Sequence, residues 1–513
     1  MSKIAKAAFG LMIVTILSKI IGFAREQVLA YYYGTSNYAA AYFTALNIPT
    51  VIFASLGSAI STSLVPMYTS IQSEKSELEA DKFINNIIGI VFILCSVILI
   101  IGLIFTDPIV KLFAVGFEKE TFNLSVQFTK ILFWGILFTG ISNVMIGYLQ
   151  VKGNFNIPGL ISLPSSIIII ISIILSAKYG VYVLVYGTLI GTISQLIFQL
   201  PFAYKKGFRY KPILSFKDEN IKKLMILVIP VLIGVSVNQF NNMIDRSLAS
   251  TLGPSIVASF SYANKLYYFV QGLFIASIVT VMYPKLSYLL SSKDILGFKE
   301  SLIKTMNTII LLIIPITIGT IVFSEPVVKL VFERGAFTYK ATIVTSTILS
   351  LYAIGMVAFG LNDVISRAFY SLKDTKTPMI NGAIVMVVNI ILNITLIKFM
   401  GYAGLAIASS ISAFVGLIIF IISLRKRIGD IGLGAVNLVF IKSLIAATIM
   451  GVAAKWIYSI SYNAIGFNTV SQIISLTISV GIGAIVYGLI LLLLKTEELI
   501  DIVNIIKSKI NKK

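Results

Sequence analysis

Apolar side chains along this chain come in long runs that do not alternate with polar ones. A membrane-spanning helix needs about 20 mostly apolar residues. About fourteen runs meet that length, near 6–33, 38–69, 83–106, 121–151, 158–178, 181–204, 221–251, 255–288, 301–323, 341–372, 377–399, 401–424, 437–460 and 469–494. Turn-forming residues mark the breaks: Gly34-Thr35-Ser36, Asp107-Pro108, Gly153 to Pro158, Gly253-Pro254, Thr377-Pro378 and Gly401. Transmembrane β-strands are short and alternating, so the pattern excludes a barrel. The expected fold is an all-α polytopic membrane protein of about fourteen transmembrane helices. The first run has no small-residue cleavage site and continues through Lys19 and Arg25, so it is expected to stay as a helix rather than leave as a signal peptide.

The runs also repeat. Leu29-Ala30 through Gly34 resembles Leu248-Ala249 through Gly253; Pro66 falls opposite Pro284, Pro158 opposite Pro378, and Gly180 opposite Gly401. The offset stays at about 220 residues. Each repeat holds an even number of spans, so both insert with one orientation, related by an axis along the membrane normal. The expected organisation is an N-lobe over 1–210, a C-lobe over 211–430, six helices each, enclosing a central cavity. Residues 431–513 then add two extra helices and an amphipathic tail on the membrane surface.

Composition agrees. Hydrophobic residues make up 57% of the 513 and charged residues 12%, about half the share of a soluble domain. The mean hydropathy is +0.95. The net charge of +20 would suit nucleic acid only on a soluble basic domain, and none is present. It suits cytoplasmic loops instead. With both termini inside, about 28 of the 41 Lys and Arg fall on inside loops and tails, led by Lys205, Lys206, Arg209, Lys211, Lys217, Lys222 and Lys223. The sequence has no histidine and one cysteine, Cys95, which removes disulfides, cysteine metal clusters and the usual neutral-pH proton carrier. There is no nucleotide-binding loop or nucleophile motif, so neither an enzyme nor direct drive by ATP is expected, and no cofactor.

Charged residues inside spans carry the candidate chemistry, because each costs about 2.5–3.5 kcal/mol at a lipid-facing helix centre. In the first helix Lys19, Gly22 and Glu26 share a face, bordered by Arg25. They form either a cationic lining for an anionic head group, with Glu26 restraining a basic neighbour, or a snorkelling helix end with local ion pairing. Asp245 and Arg246 are adjacent and point about 100° apart, so each needs another partner. Lys265, in an apolar span, is either a second cavity cation or an ion-pair partner of Asp245 or Glu26. Asn389 and Asn393 share a helix face. With Ser409 and Asp245 they form a candidate sodium site, or else they bond neighbouring helices together.

At these residues the chain resembles the MviN/MurJ family of lipid II flippases, within the multidrug/oligosaccharidyl-lipid/polysaccharide exporter superfamily. The resemblance spans nearly the whole chain. It is carried by Leu330-Val331-Phe332-Glu333-Arg334-Gly335-Ala336-Phe337-Thr338, by Ser366 through Pro378, by Gly401 through Ala406, and by Ile244-Asp245-Arg246 and Tyr262 through Tyr267. It implies a peptidoglycan-building transporter of the cell (inner) membrane. Such a protein moves an undecaprenyl-diphosphate-linked disaccharide pentapeptide to the outer leaflet by alternating access, with the cell-wall synthesis machinery as a candidate partner. Family cavity arginines map onto Lys19, Arg25 and Lys265, two of them lysine here. Where the family has Pro-Asn-Leu-Leu-Arg-Arg this chain has Pro49-Thr50-Val51-Ile52-Phe53-Ala54, and Ala40 replaces an acidic residue. The rival expectations are another polyprenyl-diphosphate oligosaccharide, of capsule or teichoic-acid type, and a cation-coupled drug antiporter.

Overall fold

A computed structural model of the chain describes residues 3–500, with side chains at all of these except 3–16, 54–56, 58, 59, 61, 62, 227, 229–238 and 276. The basic tail expected on the membrane surface lies outside the described residues. Among them the chain forms eighteen helices and no strand.

The first repeat begins with α1 (Lys3–Tyr33), α2 (Asn37–Glu74), α3 (Glu77–Ile104) and α4 (Thr106–Phe113). It continues through α5 (Lys119–Phe133), α6 (Gly135–Val151), α7 (Asn156–Leu160), α8 (Ser162–Tyr179) and α9 (Tyr182–Lys205). The second comprises α10 (Glu219–Ser250), α11 (Pro254–Ser291), α12 (Ile295–Phe332), α13 (Tyr339–Ile354), α14 (Met356–Ser371), α15 (Lys376–Met400) and α16 (Tyr402–Ile428). Two more helices follow, α17 (Leu433–Ile465) and α18 (Thr469–Leu493). Several apolar runs that look single in sequence are therefore broken. The pair α5–α6 bends by 42° at Trp134 and the pair α13–α14 by 45° at Gly355. Among the described residues nine helices are long and apolar enough to cross a membrane, or eleven if each bent pair is one span.

Local chemistry sets the ends. The Ser76 hydroxyl accepts the Glu79 N–H to start α3, and Glu77 and Glu79 place negative charge on its first turn, where the helix dipole favours it. From Phe83 to Ile104 α3 then carries no charge. What the helices bury shows which solvent they face. The buried residues of α15 are Pro378, Asn381, Asn389 and Asn393, whereas Ile380, Ile384, Val387, Ile391 and Ile394 are exposed. On α18 the buried set includes Ser471, Gln472, Ser475 and Ser479, whereas Ile473, Ile474, Ile478, Ile482 and Ile485 are exposed. Water could not favour that arrangement; hydrocarbon does. The protein is a multi-pass membrane protein.

The chain divides into two compact units. Unit 1 holds residues 1–261 with the short link Arg334–Thr338. In it α2 packs against α10, α5 and α6, α1 against α8, and α6 against α9. Its core gathers Tyr68, Phe83, Cys95, Phe133 and Tyr148. Unit 2 holds Tyr262–Glu333 and 339–513; there α12 packs on α13 and α17, and α16 on α13, α14 and α15.

Candidate functional site

On unit 1 the site is built on α1. The Arg25 guanidinium donates to the Glu26 carboxylate at 2.6 Å, and Glu26 is buried in the helix surroundings. Adjacent residues on a helix point about 100° apart, and the long arginine arm spans that angle. Tyr42 on α2 is a further electrostatic neighbour of the guanidinium, and its hydroxyl bonds Thr188 of α9 at 3.0 Å. About two turns earlier, Ser18 donates to the Gly159 carbonyl at 2.7 Å and so fixes α1 against the α7 end. Lys19 is half-buried. A Cβ at Gly22 would meet nothing within 4 Å, so the space beside α1 between Lys19 and Glu26 is open.

Asn241 donates to Asp245 at 3.3 Å and Arg246 to the Ser261 hydroxyl at 3.4 Å. Lys265, half-buried, belongs to unit 2, on the α11 stretch that also holds Tyr262 against Phe332 and Tyr267 against Tyr352 and Phe359.

Within unit 2 the structure brings Asn389, Asn393 and Ser409 together. The Asn393 amide donates to Asn389 Oδ1 at 2.8 Å, and the Asn389 amide to Ser409 at 3.5 Å and Ser412 at 3.2 Å. The two bonds from Asn389 tie α15 to α16, while the one from Asn393 lies within α15. Asp245 belongs to unit 1. Among the described residues no three His, Cys, Asp or Glu side chains cluster. The donor set is neutral oxygen, which suits a weakly held monovalent cation better than a divalent one.

Sequence reasoning missed several neighbours. Ser412 completes the asparagine cluster, and Tyr42 and Thr188 flank Arg25; polar residues scattered on separate apolar helices carry no shared spacing that would announce this. Phe53 is buried against α6 near Gly140. It borders a cavity of about 200 Å³ lined with Thr50, Thr139, Asn143, Thr188 and Thr192.

Comparison with known proteins agrees with this architecture. The family described as lipid II flippase MurJ matches residues 29–491. A probable lipid II flippase MurJ of Vibrio cholerae is 29% identical over 515 residues, covering 96% of each chain. The lipid II flippase MurJ of Thermosipho africanus is 31% identical over 414 residues, 80% of this chain and 84% of its own. A solved structure of lipid II flippase MurJ in an inward closed conformation superposes with a TM-score of 0.79 at 29% identity, over 94% of this chain and 99% of that one. An inward-facing multidrug resistance MATE transporter shares the fold at 16% identity, with a TM-score of 0.71 over 83% of this chain and 98% of its own. A match over nine-tenths of the chain, on a fold of this kind, places the protein in the lipid II flippase MurJ family.

Proposed function

We propose that this protein moves lipid II, the undecaprenyl-diphosphate-linked peptidoglycan precursor, from the inner to the outer leaflet of the cell membrane by alternating access. The observation that carries the proposal is the pair Arg25–Glu26 inside the apolar helix α1, about two turns before its end, with open space beside it at Gly22. A cation so placed is costly against lipid and useful to a diphosphate, since charge-assisted hydrogen bonds are about twice as strong as neutral ones. Lys19 and Arg25 on unit 1 are assigned to the diphosphate, and Lys265 on unit 2 is separately assigned a phosphate-binding role. The eleven spans, with α1, α2 and α10, make fourteen, which returns both termini to the cytoplasm. The repeats are assigned to 1–210 and 211–430, with 431–513 as an addition. The role is transport, with no catalysed reaction.

Asn389, Asn393 and Ser409 are proposed as the coupling sodium site within unit 2, supported by buried neutral oxygens on two packed helices, and Asp245 on unit 1 is proposed separately as a coupling carboxylate. Wild-type transport that ignores a sodium gradient in sealed vesicles removes that assignment. The substrate is tested by depleting the protein in cells with no second flippase and labelling lipid II from outside. Labelling should fall while lipid II accumulates inside; unchanged labelling overturns the proposal, and accumulation of a different polyprenyl-linked oligosaccharide redirects it. The cell-wall synthesis machinery is the proposed partner.

A further inference from the structure

The link between α9 and α10 is pinned to α3 in a way its sequence does not announce. Asn85 accepts the Lys211 N–H at 2.9 Å and donates to the Arg209 carbonyl at 3.1 Å. Asn86 accepts the Ser215 N–H at 2.7 Å and donates to the Ser215 carbonyl at 3.0 Å. Both asparagines are buried, at 3% and 1% exposure. Between the two pins the chain dips one turn further along α3. There the Ile213 carbonyl lies over Gly89, so close that a Cβ on Gly89 would sit 2.6 Å from it.

The depth of that dip follows from α3 itself. The uncharged stretch Phe83–Ile104 is roughly 33 Å of helix, the thickness of a bilayer's hydrocarbon. Asn85 and Asn86 therefore stand just inside its edge, and Gly89 about 6 Å deeper than Asn85. Irregular backbone at such depth survives only if its polar groups are bonded by protein. The two asparagines supply such bonds at Arg209, Lys211 and Ser215, on either side of the tip. What the strap turns outward matches the position: Leu214 is 52% and Phe216 58% exposed, and Arg209, Lys211 and Lys217 are exposed around them.

We propose that the strap 209–217 is a membrane-surface anchor, its Ile213–Leu214 tip set among acyl chains and its basic collar held by anionic phospholipid head groups. Apolar and basic residues together on one short element are what interfacial binding needs, and each alone is weak. The collar shares no residue with those assigned to phosphate binding, Lys19, Arg25 and Lys265, and its test does not depend on that assignment.

The full chain carrying Leu214→Cys, labelled with an environment-sensitive fluorophore, is reconstituted in phosphatidylcholine vesicles with a fraction of brominated lipid. Cys95 is buried and does not compete for label. Brominated phosphatidylcholine should quench the probe. At equal mole fraction and low salt, brominated phosphatidylglycerol should quench it about twofold more, an excess that added salt erodes. Replacing Arg209, Lys211 and Lys217 by Gln should remove the excess and keep the quenching by phosphatidylcholine. A probe that neither lipid quenches overturns the immersion. Equal quenching by the two lipids in the native chain overturns the recognition of anionic head groups, as does an excess that persists in the glutamine variant.

Discussion

Gly34, at the end of α1, has φ of +50°, and the link residue Gly335 has φ of +57°. The two glycines let backbone meet backbone: the Ala336 N–H donates to the Tyr31 carbonyl at 2.8 Å. In Gly34→Ala the new methyl would lie 2.2 Å from the Ala336 carbonyl oxygen. An ordinary carbon–oxygen contact is about 3.3 Å or more, so the link must retreat by about 1 Å. That stretches the Ala336–Tyr31 bond beyond hydrogen-bonding distance, a loss of about 0.5–1.5 kcal/mol. Holding alanine in the left-handed region adds about 1–2 kcal/mol. A combined cost of about 2–3 kcal/mol should raise the opening equilibrium, and so the hydrogen exchange of the Ala336 amide, by roughly 30- to 150-fold. Gly335→Ala should act in the same direction, since its Cβ would lie 2.3 Å from the Tyr31 carbonyl oxygen. Gly22→Ala is the control: its Cβ meets nothing, and exchange at Ala336 should not change. Exchange in Gly34→Ala within about threefold of wild type, under conditions that report the opening equilibrium, would refute the contact as drawn.

Arg25→Ala should abolish complementation of a depleted strain while the protein accumulates normally, whereas Lys19→Arg and Lys265→Arg should be tolerated and the glutamine variants at those positions should fail; growth and immunoblotting decide it. Asn389→Leu should cost about 1–2 kcal/mol of stability by severing the α15–α16 bonds, and thermal unfolding in detergent measures it. At Asp374, in the link before α15, burial pushes the carboxyl pKa up, but the Thr377 N–H and hydroxyl outweigh it, aided by Arg427, and the net direction is down. Its contribution is therefore present above the ordinary aspartate pKa and is lost as pH falls through the lower folded value. Asp374→Ala should flatten the acid limb of a stability profile below about pH 4.

The spans were legible because lipid imposes one rule along each whole helix: backbone bonded internally and apolar side chains outside. The elbows were not. At Gly355 the N–H is taken by Ser410 from α16, a tertiary bond with no local sequence mark. Arg25 and Glu26 could be named as candidates from their insertion cost, but their mutual bond depends on arm length rather than angle. Asn389, Asn393 and Ser409 were grouped by type, and the structure joins them; Ser412 was invisible because its partner lies on another helix. Asn85 and Asn86 passed as ordinary members of an apolar run, since their partners are backbone atoms well over a hundred residues away.

The two elbows have a common geometry. Helices α2 and α11 start at 37 and 254 and end at 74 and 291, and α5–α6 and α13–α14 bend by 42° and 45° at matching places. The residues at the bends are unlike, Trp134 in one half and Gly355 in the other. A bend shared by both halves but carried by different side chains does not depend on one residue type at the corner.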